Sequence, residues 1–113
     1  MEINERRVDK VVVYSLRARE GERGSFAGFQ QLIRDHLAAG DRSFVVNLSG
    51  CPWIDSQGLG ELVRSLVAVM RQGGNMKLAE TPHRLRGILA VTNLTQVFDL
   101  FESEQAAIDS FQV

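Results

Sequence analysis

What this chain has little of narrows its possibilities before any motif is considered. Its single cysteine, Cys51, excludes an internal disulfide, and with His36 and His83 as the two histidines no thiol remains to complete a structural zinc set. Neither sign of charge dominates. Thirteen Lys and Arg face 14 Asp and Glu, a formal net charge of −1, which gives no bulk attraction for a nucleic-acid backbone. No apolar run approaches the roughly 20 residues of a membrane-spanning helix. Met1 to Lys10 mixes charged and apolar residues and lacks the apolar centre of a signal peptide. A soluble, uncleaved, cytoplasmic protein is expected, without membrane insertion, metal or cofactor. What is present is ordinary for a globular chain, at 44% apolar and 24% charged residues, and 113 residues suit one core. One domain over residues 1–113 follows.

The apolar spacing assigns the elements. Glu2 to Val8 alternates weakly and Val11-Val12-Val13-Tyr14 is β-branched and aromatic, which predicts two strands meeting near Asp9-Lys10. Arg17 to Gly24, charged and glycine-containing, reads as a solvated, mobile loop. Ser25 then precedes Phe26, Phe29, Leu32, Ile33, His36 and Leu37, a helical stripe closed by Gly40, a residue suited to a left-handed cap. Phe44 to Leu48 predicts a buried central strand ended by Gly50 and Pro52.

From Gly58, the positions Leu59, Leu62, Val63, Leu66, Val67 and Met70 share one helical face, stopped by Gly73-Gly74, with Leu59 as the helix's buried foot. Met76 to Ala79 reads as a strand. Thr81 as cap and Pro82 at the first helical position start a third helix, with Leu85, Ile88 and Leu89 inward. Val97 to Phe101 closes the sheet, and Ser103-Glu104 starts a last short helix that packs Ala107, Ile108 and Phe111. Alternating strands and helices after an opening hairpin predict an α/β domain, a mixed sheet of four to five strands flanked by about four helices. There is neither a fixed-period repeat nor a low-complexity stretch.

The chemistry concentrates in Leu48-Ser49-Gly50-Cys51-Pro52-Trp53-Ile54-Asp55-Ser56-Gln57-Gly58-Leu59-Gly60, which runs from a buried strand through a tight loop into a helix. A helix start leaves N–H groups unpaired and favours negative charge. Ser56 stands where its hydroxyl could cap that helix, and Gly58 and Gly60 carry no side chain to hinder an approaching surface. Other readings of the motif fail on particular residues. A nucleophile elbow needs glycine where Ile54 stands, a P-loop needs a Gly-Lys-Ser/Thr ending, and a response regulator needs an early acidic cluster and a late lysine. The serine of a carrier protein belongs to an acidic helical bundle, whereas this one follows a strand. No nucleophile and base pair suggests an enzyme.

Asp55-Ser56-Gln57-Gly58-Leu59-Gly60 resembles the Asp-Ser-x-Gly-Leu-Gly signature of the STAS domain of bacterial anti-sigma-factor antagonists. Phe44 to Gly50, Gly73-Gly74-Asn75-Met76-Lys77-Leu78 and Leu85 to Phe101 resemble the family's flanking strand, its helix-to-strand turn and its closing elements. The resemblance implies that Ser56 is phosphorylated by an anti-sigma factor that is itself a serine kinase of the histidine-kinase-like ATPase type. The unphosphorylated form would bind this kinase and free a sigma factor, and a serine phosphatase would reset the switch. Asp55, Ser56, Gln57, Gly58, Gly60 and Trp53 would form the contact surface, with Asp55 shaping the turn. STAS subunits of lipid-transport ATPases and of stress-signalling scaffolds are the alternative.

The pattern departs from the family at Leu16 to Gly21, where two arginines stand and the usual aspartate is missing. Gln57 excludes a second phosphorylation site beside the first. Cys51 reads as a small apolar residue beneath the loop, and Trp53 as an anchor for the loop or for an interface. Arg64, Arg71, Arg84 and Arg86 read as a solvated face or a contact for an acidic partner.

Overall fold

Side chains of a strand alternate between two faces, so a strand apolar at consecutive positions must be covered on both. The computed structural model, which describes residues 1–19, 26 and 28–112, shows this arrangement. Strands β1 (Glu2–Val8) and β2 (Val11–Arg17) form the opening hairpin. Helix α1 (Phe29–Ala38) leads to β3 (Ser43–Gly50), α2 (Ser56–Arg71) to β4 (Asn75–Ala79), and α3 (His83–Val91) to β5 (Leu100–Phe101), before a last helix, α4 (Glu104–Asp109). The sheet order is β1-β2-β3-β4-β5, parallel from β2 onward, with β3 at the centre.

One face carries Val12, Tyr14, Leu16, Phe44, Val46, Leu48, Met76 and Leu78 against Phe29, Ile33 and Leu37 of α1, Leu62, Leu66 and Val69 of α2, and Leu85 and Leu89 of α3. The opposite parity, Val11, Val13, Val45 and Ala79, packs on Ala107 and Ile108 of α4. Each such Val, Leu, Ile, Phe or Met side chain, fully buried, contributes roughly 1.5–3 kcal/mol. On that second face Asn47 donates to Glu104, which also pairs with Arg6 of β1. The edges are poor templates for a further strand, because β1 is largely exposed and charged and β5 is two residues long.

Both long helices end alike. Gly40 and Gly73 adopt left-handed φ of 103° and 82°, and paired bonds back to Leu37 and His36, and to Met70 and Val69, satisfy the last carbonyls. At the second of these turns the chain passes so close to Arg42 that Asn75 N–H donates to its carbonyl at 2.9 Å, and a Cβ on Gly74 would collide with that oxygen.

Several boundaries differ from the sequence expectations. Arg17 belongs to β2, and the remainder of the expected loop from residue 20 onward lies outside the described residues, as does Ser25. Helix α1 starts at Phe29, with Gly28 (φ 87°) before it, although Phe26 is still buried. Thr81 does not cap α3. The Pro82 carbonyl accepts the first helical bond from Arg86, which makes Pro82 itself the cap position, and the Thr81 hydroxyl is buried without a hydrogen-bond partner among the described residues. The strand expected over Val97 to Phe101 shrinks to two residues, because a turn of 3-10 helix at Leu94–Gln96 precedes it and Phe98 inserts into the core.

The buried stripe of α2 is Gly58, Leu62, Ser65, Leu66 and Val69. Leu59 and Val63 flank it half-buried, and Val67 and Met70 are exposed. The sequence stripe followed apolarity and so was displaced around the helix.

A polar cluster ties β1 to α1. His36 Nε2 lies 3.0 Å from Glu5, His36 Nδ1 lies 2.8 Å from Asp41, and Arg7 holds both Asp41 oxygens at 2.9 Å. Tyr14 and Phe44 pack edge-on to the imidazole. Burial works against the imidazolium, yet the two carboxylates outweigh it and raise the His36 pKa. The Arg7 bond holds Asp41 down at about 2.

Three outcomes follow from these features. Gly74→Ala should lower stability in urea melts by about 1–3 kcal/mol through backbone overpacking. Gly87→Ala, at a mid-helix position with open space around it, should raise stability by up to about 1 kcal/mol. The raised His36 pKa contributes stability that is complete below the unfolded value of about 6.5 and is lost as pH climbs through the folded value. The denaturation midpoint should therefore fall as pH rises above about 6.5. His36→Gln should flatten that slope, and an unchanged slope would refute the linkage.

Candidate functional site

Parallel sheets present their loops at the carboxyl ends of the strands, and β3, the central one, delivers its loop there. Gly50 lets this happen. A Cβ at Gly50 would stand 2.7 Å from the Leu16 carbonyl, so glycine allows β3 to close on β2, and Ala18 N–H donates to the Gly50 carbonyl at 3.0 Å. The loop is then pinned from beneath at two points. Cys51 is fully buried, its Sγ 3.4 Å from the Leu16 carbonyl, and Ile54 joins the same apolar cluster. Between them Pro52 and Trp53 are pushed outward, Trp53 remaining 42% exposed. Cys51 thus lies under the loop as its apolarity implied, and the indole offers its ring to solvent.

The helix start is set by Asp55, not by Ser56. Asp55 has extended backbone (φ −88°, ψ 177°) and its Oδ1 accepts from Gly58 N–H at 2.8 Å, while its carbonyl accepts the first helical bond from Leu59. Ser56 is the first helical residue. Its side chain is exposed, and its hydroxyl makes no hydrogen bond among the described residues. Asp and Ser are equally good caps, so composition alone could not choose between them. A signal was nevertheless present. With Asp55 as cap, Ile54 and Leu59 fall at the two positions of a hydrophobic staple, and both lie in or against one cluster; with Ser56 as cap those positions would hold Asp55 and Gly60.

The other motif residues divide by depth. Gln57 is exposed beside Ser56. Gly58 is buried, so the open approach expected there is a packed position, and Leu59 is half-buried rather than the buried foot, a place taken by Leu62. Gly60 is half-exposed, and the Arg64 guanidinium folds over it, 3.0 Å from where a Cβ would stand. The exposed set at this corner is therefore Pro52, Trp53, Ser56 and Gln57, with Asp55 half-buried.

Chemically, the corner can hold an anion. The N–H groups of Ser56 and Gln57 have no helical carbonyl to reach, and the 16-residue axis of α2 points its positive end at them. Among the described residues no base hydrogen-bonds to the Ser56 hydroxyl. His36 is engaged by Glu5 and Asp41, His83 is exposed on α3, and no group of three metal-ligating side chains occurs among the described residues. No helix among them is long and apolar enough to cross a membrane.

No curated protein matches the chain. Solved structures share its fold at low identity. Protein TM1081 of Thermotoga maritima is 22% identical over 98% of this chain and 95% of its own, with a TM-score of 0.82. An anti-sigma-factor antagonist (STAS) domain protein from Planctomyces limnophilus is 20% identical over 98% of both chains, with a TM-score of 0.78. The Bacillus cell fate determinant SpoIIAA, in its phosphorylated form, is 16% identical over 97% of this chain and 99% of its own, with a TM-score of 0.75. Together with a central strand whose loop leads into a capped helix, the match of the STAS domain model to residues 6–107 shows that this chain belongs to the STAS domain family.

Proposed function

We propose that this STAS domain is an anti-sigma-factor antagonist, a binding module without catalysis of its own, whose docking is switched by phosphorylation of Ser56. Its partner is an anti-sigma factor that is also a serine kinase of the histidine-kinase-like ATPase type, and a serine phosphatase restores the binding form. The observation that carries this reading is the Ser56 hydroxyl, exposed at the first position of α2 and released from capping by Asp55. A kinase can reach it without unfolding the helix.

The electrostatics supports a switch at that oxygen. A phosphate adds about −1.5 to −2 charges, which the helix N-terminus accepts with its two unpaired N–H groups. SpoIIAA, of similar fold, has been seen in a phosphorylated form, in keeping with a fold that tolerates the group. For a partner the result is different. The new charge would stand next to the Asp55 carboxylate and between Trp53 and Gln57, on the surface where contact is needed. Folding is preserved while docking is opposed.

Two measurements test this. Incubated with its cognate kinase and ATP, the wild type should gain one phosphate by intact mass and Ser56→Ala none. Ser56→Asp should bind that kinase at least about tenfold more weakly than Ser56→Ala. Equal labelling, or equal affinity of the two variants, defeats the switch and favours a STAS subunit of another assembly. Independently, Asp55→Ala should lose about 1 kcal/mol in chemical denaturation because it removes the cap. Ser56→Ala should stay within about 0.5 kcal/mol of the wild type, as expected of an exposed side chain without structural contacts.

A further inference from the structure

Helices α1 and α2 lie side by side, and a groove runs between them that the Ser56 corner does not use. Two adjoining hollows of about 380 and 330 Å³ form it, sharing Arg34, Ala68 and Arg71. Along one side it is apolar, with Val63, Val67 and Ala68 contributed by α2. Val67 is 39% exposed, although valine at a helix surface gains nothing from water. Around it stand three exposed arginines, Arg34 from α1 and Arg64 and Arg71 from α2.

These arginines differ from the others nearby. Arg6, Arg7 and Arg86 each hold a carboxylate. Arg34, Arg64 and Arg71 make no ion pair or hydrogen bond among the described residues. Acids close in sequence do not serve them, since Asp35 accepts from Gln31 and one oxygen of Glu61 is buried. An apolar floor with unanswered guanidinium groups on both walls is selective in its chemistry. Phosphate or a nucleic-acid backbone would use the charges and waste the floor, and a purely apolar segment would do the reverse. A helix with apolar side chains at i, i+3 and i+7 and carboxylates on its flanks uses both.

We propose that the α1–α2 groove docks an acidic amphipathic helix of a protein partner. The ten residues of α1 extend about 15 Å, enough for some three turns of a docked helix. Ser56 and Arg71 lie at opposite ends of α2, about 22 Å apart along its axis, so the Arg34–Arg71 stretch of this surface is distinct from the phosphorylation corner, toward which only the Arg64 guanidinium folds.

Fluorescence anisotropy with a labelled helical peptide tests the proposal. The probe carries leucine at i, i+3 and i+7 with glutamate on both flanks, and is compared with counterparts bearing glutamine or lysine on the flanks. The glutamate peptide should bind wild-type protein, more weakly as salt rises. Its glutamine counterpart, or the double variant R34Q/R71Q, should weaken binding about tenfold. In R34E/R71E the lysine peptide should bind in its place, a rescue that a merely unfolded variant cannot give. Ser56→Asp should bind the glutamate peptide as the wild type does, which separates failure here from failure of the switch. No binding of the glutamate peptide, equal binding of both peptides, insensitivity to the arginines, or tighter binding of duplex DNA or anionic vesicles would each overturn the proposal.

Discussion

A single carboxylate at the mouth of α2 decides what the rest of the molecule can offer. Asp55 takes the Gly58 N–H, and with that bond the helix begins at Ser56. Had the helix begun one residue later, the Ser56 hydroxyl would itself have been drawn onto the backbone. The cap is secure because the chain entering it is secure: Gly50 closes β3 on β2, and Cys51 and Ile54 fasten the loop to the core. The packing beneath the loop thereby fixes which oxygen stays outside.

The sheet supplies the rigidity that such a corner requires. β3 is covered on both faces and flanked on both edges, so its carboxyl end is among the least mobile places from which to hang a loop. Coverage is nevertheless unequal. Three helices share the face with Tyr14 and Phe44, whereas six residues of α4 cover the other, helped by polar ties from Glu104 to Asn47 and Arg6.

Much of this was legible in the chain because local physics and tertiary packing agree. The hairpin at Asp9-Lys10, the density of β3, the glycine stops after α1 and α2 and the Ser103 cap of α4 all follow from short-range chemistry, and the structure contains each of them. Where several local solutions were near in energy, sequence could not choose. Asp55 and Ser56 cap equally well in isolation, and Thr81, which is buried, loses its place to Pro82. The face of α2 was misplaced for a different reason. The buried face includes the small residues Gly58 and Ser65, which a search for apolar spacing passes over, while Val67 and Met70 are turned outward. The Glu5–His36–Asp41–Arg7 cluster was beyond reach because it forms only when β1 and α1 are brought together.

The two ends of the described chain also leave the molecule at different places. Met1 reaches the core beside the signature loop, its sulfur 3.9 Å from that of Cys51, whereas Gln112 reaches Asp9 at the hairpin tip, at 2.9 Å. A fusion or affinity label joined ahead of Met1 would therefore emerge next to the signature loop and would screen it sterically. The same label joined behind Gln112 would trail from the opposite pole and leave that loop clear.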